Sequence, residues 1–255
     1  MKKYELTNET KEFNGKTLYR IRALTDFGFV KTGDLGGWIE KEENLSQEGN
    51  AFVSGDANVF DDACVFDDAF VSGNANVFGN AYVSDNAKVF GGAKVFGNAD
   101  VSGSANVFDD ACVFEDAYVS DNAKVFGNAN VSGGANVFDD AFVSGNAYVS
   151  GNAFVSVDAK VFDDACVFDD AFVSGNANVF GNANVSGNAK VFGGAKVFGN
   201  ANVSGCAKVR NNARVCGNMW VSYSYAKTFK GKGNNGGIIS RPIREANNLT
   251  NSGRQ

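Results

Sequence analysis

The chain has 255 residues, with 23 Lys/Arg against 29 Asp/Glu for a net charge of −6, and it contains no histidine and a single proline. The missing histidine excludes acyl transfer through a histidine base and metal sites built on imidazole, and five cysteines, an odd number, make no disulfide framework. No stretch approaches the ~18 apolar residues of a membrane-crossing helix, and residues 1–10 lack an apolar signal core, so the expectation is a cytoplasmic protein without a membrane contact.

Residues 1–44 are read as an N-terminal β cap. The run Thr17-Leu18-Tyr19-Arg20-Ile21-Arg22-Ala23-Leu24 reads as strand, and Phe27, Phe29, Val30, Leu35, Trp38 and Ile39 follow it. Counting back by six from Ala51 reaches Leu45 and Ile39, so a six-residue register begins here with bulkier residues in the inward slot. Leu35, Trp38, Ile39 and Leu45 are expected to close an open coil end whose unpaired strand edges would otherwise invite aggregation.

Residues 45–225 are expected to form one β-solenoid. Alanine recurs every sixth position from Ala51 to Ala213 and valine from Val53 to Val215, which gives (213 − 51)/6 + 1 = 28 unbroken hexads. Residues two apart on a strand share a face, so Ala and Val line the core while the residue between them and the one after Val point outward. A helix would need apolar residues at i, i+3, i+4 and i+7, which a strict period of six cannot provide. Gly-Asn, Asp-Asp and Gly-Gly close the hexads, as expected of corners that need left-handed backbone.

The aliphatic residue followed four places later by a small one, as in Val59-Phe60-Asp61-Asp62-Ala63, resembles the hexapeptide-repeat family over about two-thirds of the chain. That resemblance implies an all-β, three-sided parallel β-helix, left-handed, with three hexads per turn and hence a period of 18. About nine turns would make a rod roughly 45 Å long. In wording the repeat is most similar to Gly-Asn-Ala-x-Val proteins of phages and prophages, which implies a phage-derived protein. More distantly it resembles bactofilins, polymer-forming bacterial proteins whose helix is right-handed.

Stepping by 18 sets the outward phenylalanines in columns: Phe60, Phe78, Phe96 and Phe114; Phe90, Phe108 and Phe126; and Phe162, Phe180 and Phe198. They are expected either to stack within the rod or to form a contact surface. Acidic corners such as Asp61-Asp62 and Asp109-Asp110 never repeat as a pair three hexads on, so they read as solvated turns rather than a cation ladder. Residues 59–103 recur as 161–205 with three changes, an offset of 102 residues or 17 hexads.

At the lower end Trp220, with Tyr223 and Tyr225, is expected to close the coil, and residues 226–255 read as a basic, disordered tail, solvated rather than bound to nucleic acid. The functional expectation is a non-enzymatic structural or interaction protein, without catalytic residues, metal or cofactor, that presents Phe and Asp/Asn/Ser ladders to a copy of itself, as a homo-oligomer, or to a host protein. The alternative is a small-ligand-binding or transferase-like hexapeptide protein with its site between subunits. Hexapeptide acyltransferases and the related carbonic anhydrases resemble the scaffold, but both depend on histidine.

Overall fold

The computed structural model describes residues 2–222 and the backbone of residues 238–239. Near the N-terminus β1 (Tyr4–Phe13) pairs antiparallel with β2 (Lys16–Ala23), and β2 pairs antiparallel with β3 (Leu35–Ile39). From there every hexad contributes one short strand holding its outward residue and its valine, beginning with β4 (Phe52–Val53), β5 (Asn58–Val59) and β6 (Cys64–Val65). Because three hexads complete a turn, each strand pairs in parallel with those three hexads away, as Asn58 and Val59 do with Asn76 and Val77. Three sheets result, of 14, 10 and 9 strands.

The 14-stranded sheet runs through β5 and takes up β1–β3 at its upper end, so it is the cap-bearing face. The 9-stranded sheet through β6 is called the tyrosine face and the 10-stranded sheet through β4 the lysine face, after their outward residues. The rod has about ten turns rather than nine, because the strand pairing outlasts the last full hexad and continues to Trp220–Ser222. Every alanine and valine of the 28 hexads is at most 2% exposed. Valine stacks on valine at each level, and the small alanine beside it lets three strands approach the axis. Among the described residues no helix is long and apolar enough to cross a membrane.

Left-handed backbone at the first residue of each corner explains the corner composition. Gly103 there has φ 64°, and a Cβ on it would lie 2.6 Å from the backbone nitrogen of Asp121 one turn below. Asp and Glu share the conformation, as at Asp61 (φ 57°) and Glu115 (φ 60°). Val157, with φ 62°, is the one β-branched residue so placed among the described residues.

Each parallel rung donates its N–H groups to the turn below, so the top turn is left with unpaired carbonyls. The N-terminal segment occupies them one by one. Trp38 and Glu40 donate their backbone N–H groups to the carbonyls of Ala57 (2.9 Å) and Val59 (3.1 Å). Fully buried Asn44 donates through Nδ2 to the carbonyls of Asp61 (3.0 Å) and Ala63 (2.9 Å). Lys3 Nζ donates to the carbonyls of Ala51 (2.9 Å) and Glu48 (3.1 Å).

The open core is filled by Tyr4, Ile21, Val30, Ile39, Leu45 and Phe52. Trp38 sits elsewhere than a plug over that opening: it pairs with outward-facing Asn58 and packs with Leu18 and Phe60 outside the main core. Lys11 and Arg20 lie over its ring at 4.6 and 5.3 Å. Leu35 is 52% exposed, being the first residue of β3 with the core behind Gly36. A Cβ on Gly36 would meet the Ile21 side chain at 2.4 Å, so only glycine lets β3 close over the end of the rod. At the other end Trp220 is 61% exposed, paired through its backbone with Ile238, while Tyr223, Tyr225 and residues 226–255, apart from the strand at 238–239, lie outside the described residues.

Candidate functional site

The residue after each valine is where the strand meets the corner, and the three-hexad register sets each such side chain on its neighbour one turn away. Phe60, Phe78, Phe96 and Phe114 stack down the cap-bearing face with ring centroids 4.8–5.0 Å apart and planes within 4°. On the lysine face Phe90, Phe108 and Phe126 stack at 4.8–4.9 Å, and Phe162, Phe180 and Phe198 at 4.9–5.0 Å. These last two groups are a single column interrupted at Ser144, since 126 + 18 = 144 and 144 + 18 = 162.

Phe60 departs from its expected place on an open surface. It is 3% exposed, covered by Leu18 and Trp38 with the Phe13 ring edge-on at 5.7 Å. The other nine ladder rings are half-buried, each face of an interior ring being covered by its neighbour. The more exposed aromatics occupy the slot before valine: Tyr82 (46%), Tyr118 (39%) and Phe154 (39%) on the tyrosine face. Between the two tyrosines lies Asp100, whose Oδ1 is buried without a hydrogen-bond partner and whose carboxyl is pushed above its ordinary range by that burial.

The acidic corners have a structural task that sequence reasoning missed. Carboxylates at the first corner position accept from the backbone N–H one turn below, as Asp85 does from Gly103 (2.9 Å), Glu115 from Gly133 (2.7 Å) and Asp169 from Gly187 (3.0 Å). That N–H takes no part in the rung pairing, and a carboxylate, an acceptor only, suits it. At the second position amides form ladders: Asn80 donates to Asn98 (3.0 Å) and Asn98 to Asp116 (2.8 Å), while Asn128 donates to Asn146 (3.2 Å) and Asn146 to Asp164 (2.9 Å). The sequence signal was available as Asp-to-Gly and Asn-to-Asn-to-Asp spacings of 18. Among the described residues no three His, Cys, Asp or Glu side chains converge as a metal site. Burial raises the thiol pKa of Cys64, Cys112 and Cys166, which keeps them protonated and poorly nucleophilic.

A groove of about 630 Å³ runs along the lysine face, between Phe29 at its upper end and Phe142 at its lower. Lys88, Asn106 and Lys124 line it from the strands, and Asn86, Ser104 and Asn122 from the corner shared with the tyrosine face. Lys124 and Lys160, one turn above and one below Phe142, each hold their ammonium 5.3 Å from its ring centroid. Such a face can pair with anions and exchange hydrogen bonds with a polar ligand, and no nucleophile–base pair lines the groove.

The fold is a hexapeptide-repeat β-solenoid. No family model matches the chain. A stretch of 61 residues is 38% identical to an uncharacterized acetyltransferase, YdcK, of Escherichia coli (strain K12). The match takes in 21% of this chain and 19% of that protein, so the chain spans about a fifth of the length of the curated relative it matches.

Proposed function

We propose that the chain is a non-enzymatic interaction rod that presents its Phe ladders and its rows of Asn, Asp and Ser to a second copy of itself or to a protein partner. The observation that carries this reading is the column from Phe90 to Phe198, six rings with one break, which stays half-exposed beside a polar groove on a straight face. Repeated apolar edges in a line offer a partner the same contact at every turn. The reading includes a phage-derived protein, which the wording of the repeats suggests.

Its test is the triple variant Phe90→Ser, Phe108→Ser and Phe126→Ser in that column. Serine already fills the same slot at Ser72 and Ser144 in this column, so the fold should persist. Each ring buried at an interface contributes on the order of 1.5–3 kcal/mol, so association measured by light scattering should weaken by orders of magnitude. A lower melting temperature with unchanged association would mean that the ladder serves only the rod.

The resemblance to YdcK favours a second reading, an acetyl-transferring or small-ligand protein with a site between subunits. A chain without histidine would need another base for that step. Thermal shift with acetyl-coenzyme A, followed by a thiol-release assay, separates the two readings.

A further inference from the structure

The lysine face carries a period that the hexad alone does not impose. Its outward row from the third rung reads Lys88, Asn106, Lys124, Phe142, Lys160, Asn178, Lys196, Arg214, so a lysine returns at every second turn from Lys88 to Lys196, with Arg214 one turn further on. At ~4.8 Å per rung these lysines stand roughly 9.6 Å apart along a straight line. Residues 51–218 hold nine Lys/Arg against 19 Asp/Glu, yet five of the nine fall in this row, four lysines and Arg214. The ion pairs among the described residues engage Lys2, Lys16, Arg20, Arg22, Lys31 and Lys41, all N-terminal, which leaves this row to face outward.

Going beyond the interaction-rod reading, we infer that this face also binds a linear acidic polysaccharide carrying one carboxylate per disaccharide. Charge density decides against nucleic acid. Duplex DNA places a charge every ~1.7 Å and a single strand one every ~3.4 Å, so several phosphates would fall between successive lysines. Those phosphates would also meet the corner carboxylates Asp68 and Asp140, which line the same groove. Sugar hydroxyls are donors as well as acceptors, so the same carboxylates, with Asn86, Ser104 and Asn122, become partners for them. In an extended chain with alternating ring orientation a given substituent returns to the same side once per disaccharide, an advance close to two rungs of this rod. Phe29, exposed at the groove's upper end, offers an apolar face for pyranose C–H groups.

The test uses the full chain in affinity electrophoresis and titration calorimetry with four probes: hyaluronan, with one carboxylate per disaccharide; polygalacturonate, with one per sugar; neutral dextran; and oligothymidylate. Hyaluronan should bind best. The variant Lys88→Gln, Lys124→Gln, Lys160→Gln, Lys196→Gln should lose at least tenfold in affinity. A second variant, Asn106→Lys with Lys124→Asn, keeps the number of charges, breaks the two-turn spacing and should bind several-fold more weakly. It also carries the test if the fourfold variant does not fold. Absence of hyaluronan binding, tighter binding of oligothymidylate or polygalacturonate, or unchanged affinity in the spacing variant would each overturn the inference. Light scattering on the same samples identifies the other outcome: lysine variants that lose self-association, with no hyaluronan effect, would assign the face to a second copy. That result removes the glycan and leaves the interaction rod standing, whereas association indifferent to the Phe90, Phe108 and Phe126 changes would remove the rod reading itself.

Discussion

The cap and the rod meet the same requirement, satisfied carbonyls at the edge of a turn, in opposite ways. Within the rod each turn is covered by the next, the donors are backbone N–H groups, and the arrangement recurs every three hexads. At the top no turn remains to do this, and Lys3, Trp38, Glu40 and Asn44 supply one donor group each from unrelated positions in the sequence. Tyr4 adds its hydroxyl, 2.6 Å from the carbonyl of Leu45. The rod is therefore redundant and the cap is not. Losing one corner among dozens should matter little, whereas losing one cap residue leaves a particular buried carbonyl without a partner.

Removing residues 1–44 tests this contrast most severely. The repeats should still pair, but the top turn becomes a template for other chains, and the soluble, monodisperse species should be lost. A truncated chain that elutes as a single sharp peak would show that the rod protects its own end.

Asn44→Ala applies the same test to one side chain. It leaves the carbonyls of Asp61 and Ala63 buried and unpaired, a loss of about 1–3 kcal/mol. In the rod Asn98→Ala, at an exposed amide ladder, should cost well under half as much in the same thermal melt. Equal losses would abolish the distinction between singular and redundant parts.

Val157→Gly sharpens the rod side of the comparison, because it restores the corner composition at the one position that violates it. Relief of left-handed strain at a β-branched residue should raise stability by about 1 kcal/mol. A lower melting temperature would mean that the exposed Val157 side chain makes a compensating contact.

The smallest effect is a pH dependence located in the cap. Burial holds the Lys3 ammonium down to about 8, below its ordinary 10.5, although Asp68 pulls the other way. Between those two values the unfolded chain binds the extra proton, so stability rises with pH there; below about 8 both states are protonated and the penalty is constant. The melting-temperature difference between wild type and Lys3→Met should therefore move in favour of wild type from pH 8 to pH 10. A flat difference would place the Lys3 amine in water.

The alanine and valine slots carried most of the fold in the sequence, because period two within period six leaves one way to hide them. Residues 39 and 45 were legible as core by counting in sixes. What the count could not show was packing between non-repeating residues: Phe60 reads like every other ladder ring, and only Leu18, Trp38 and Phe13, which follow no period, bury it. Trp38 misled in the same way, since its size suits a plug while its parity along β3 turns it outward beside Asn58. The corner carboxylates were visible as stacked columns, but their acceptor role depends on an N–H left over by corner geometry. The lysine row needed a step of six hexads, twice the period that organises everything else.

Three hexads to a turn also make the rod an indexing device. A segment inserted in multiples of three hexads lengthens it without changing which way anything below points, while a single inserted hexad turns all that follows onto the next face. The copy at an offset of 17 hexads did the latter, since 17 is one short of a multiple of three: Phe60, Phe78 and Phe96 stand on the cap-bearing face, and their duplicates Phe162, Phe180 and Phe198 on the lysine face. Lys94, the one lysine in its column, corresponds to Lys196, the fourth lysine of the lysine row. Duplication in such a chain shuffles surfaces while conserving the core, so a new binding face can arise without a single substitution.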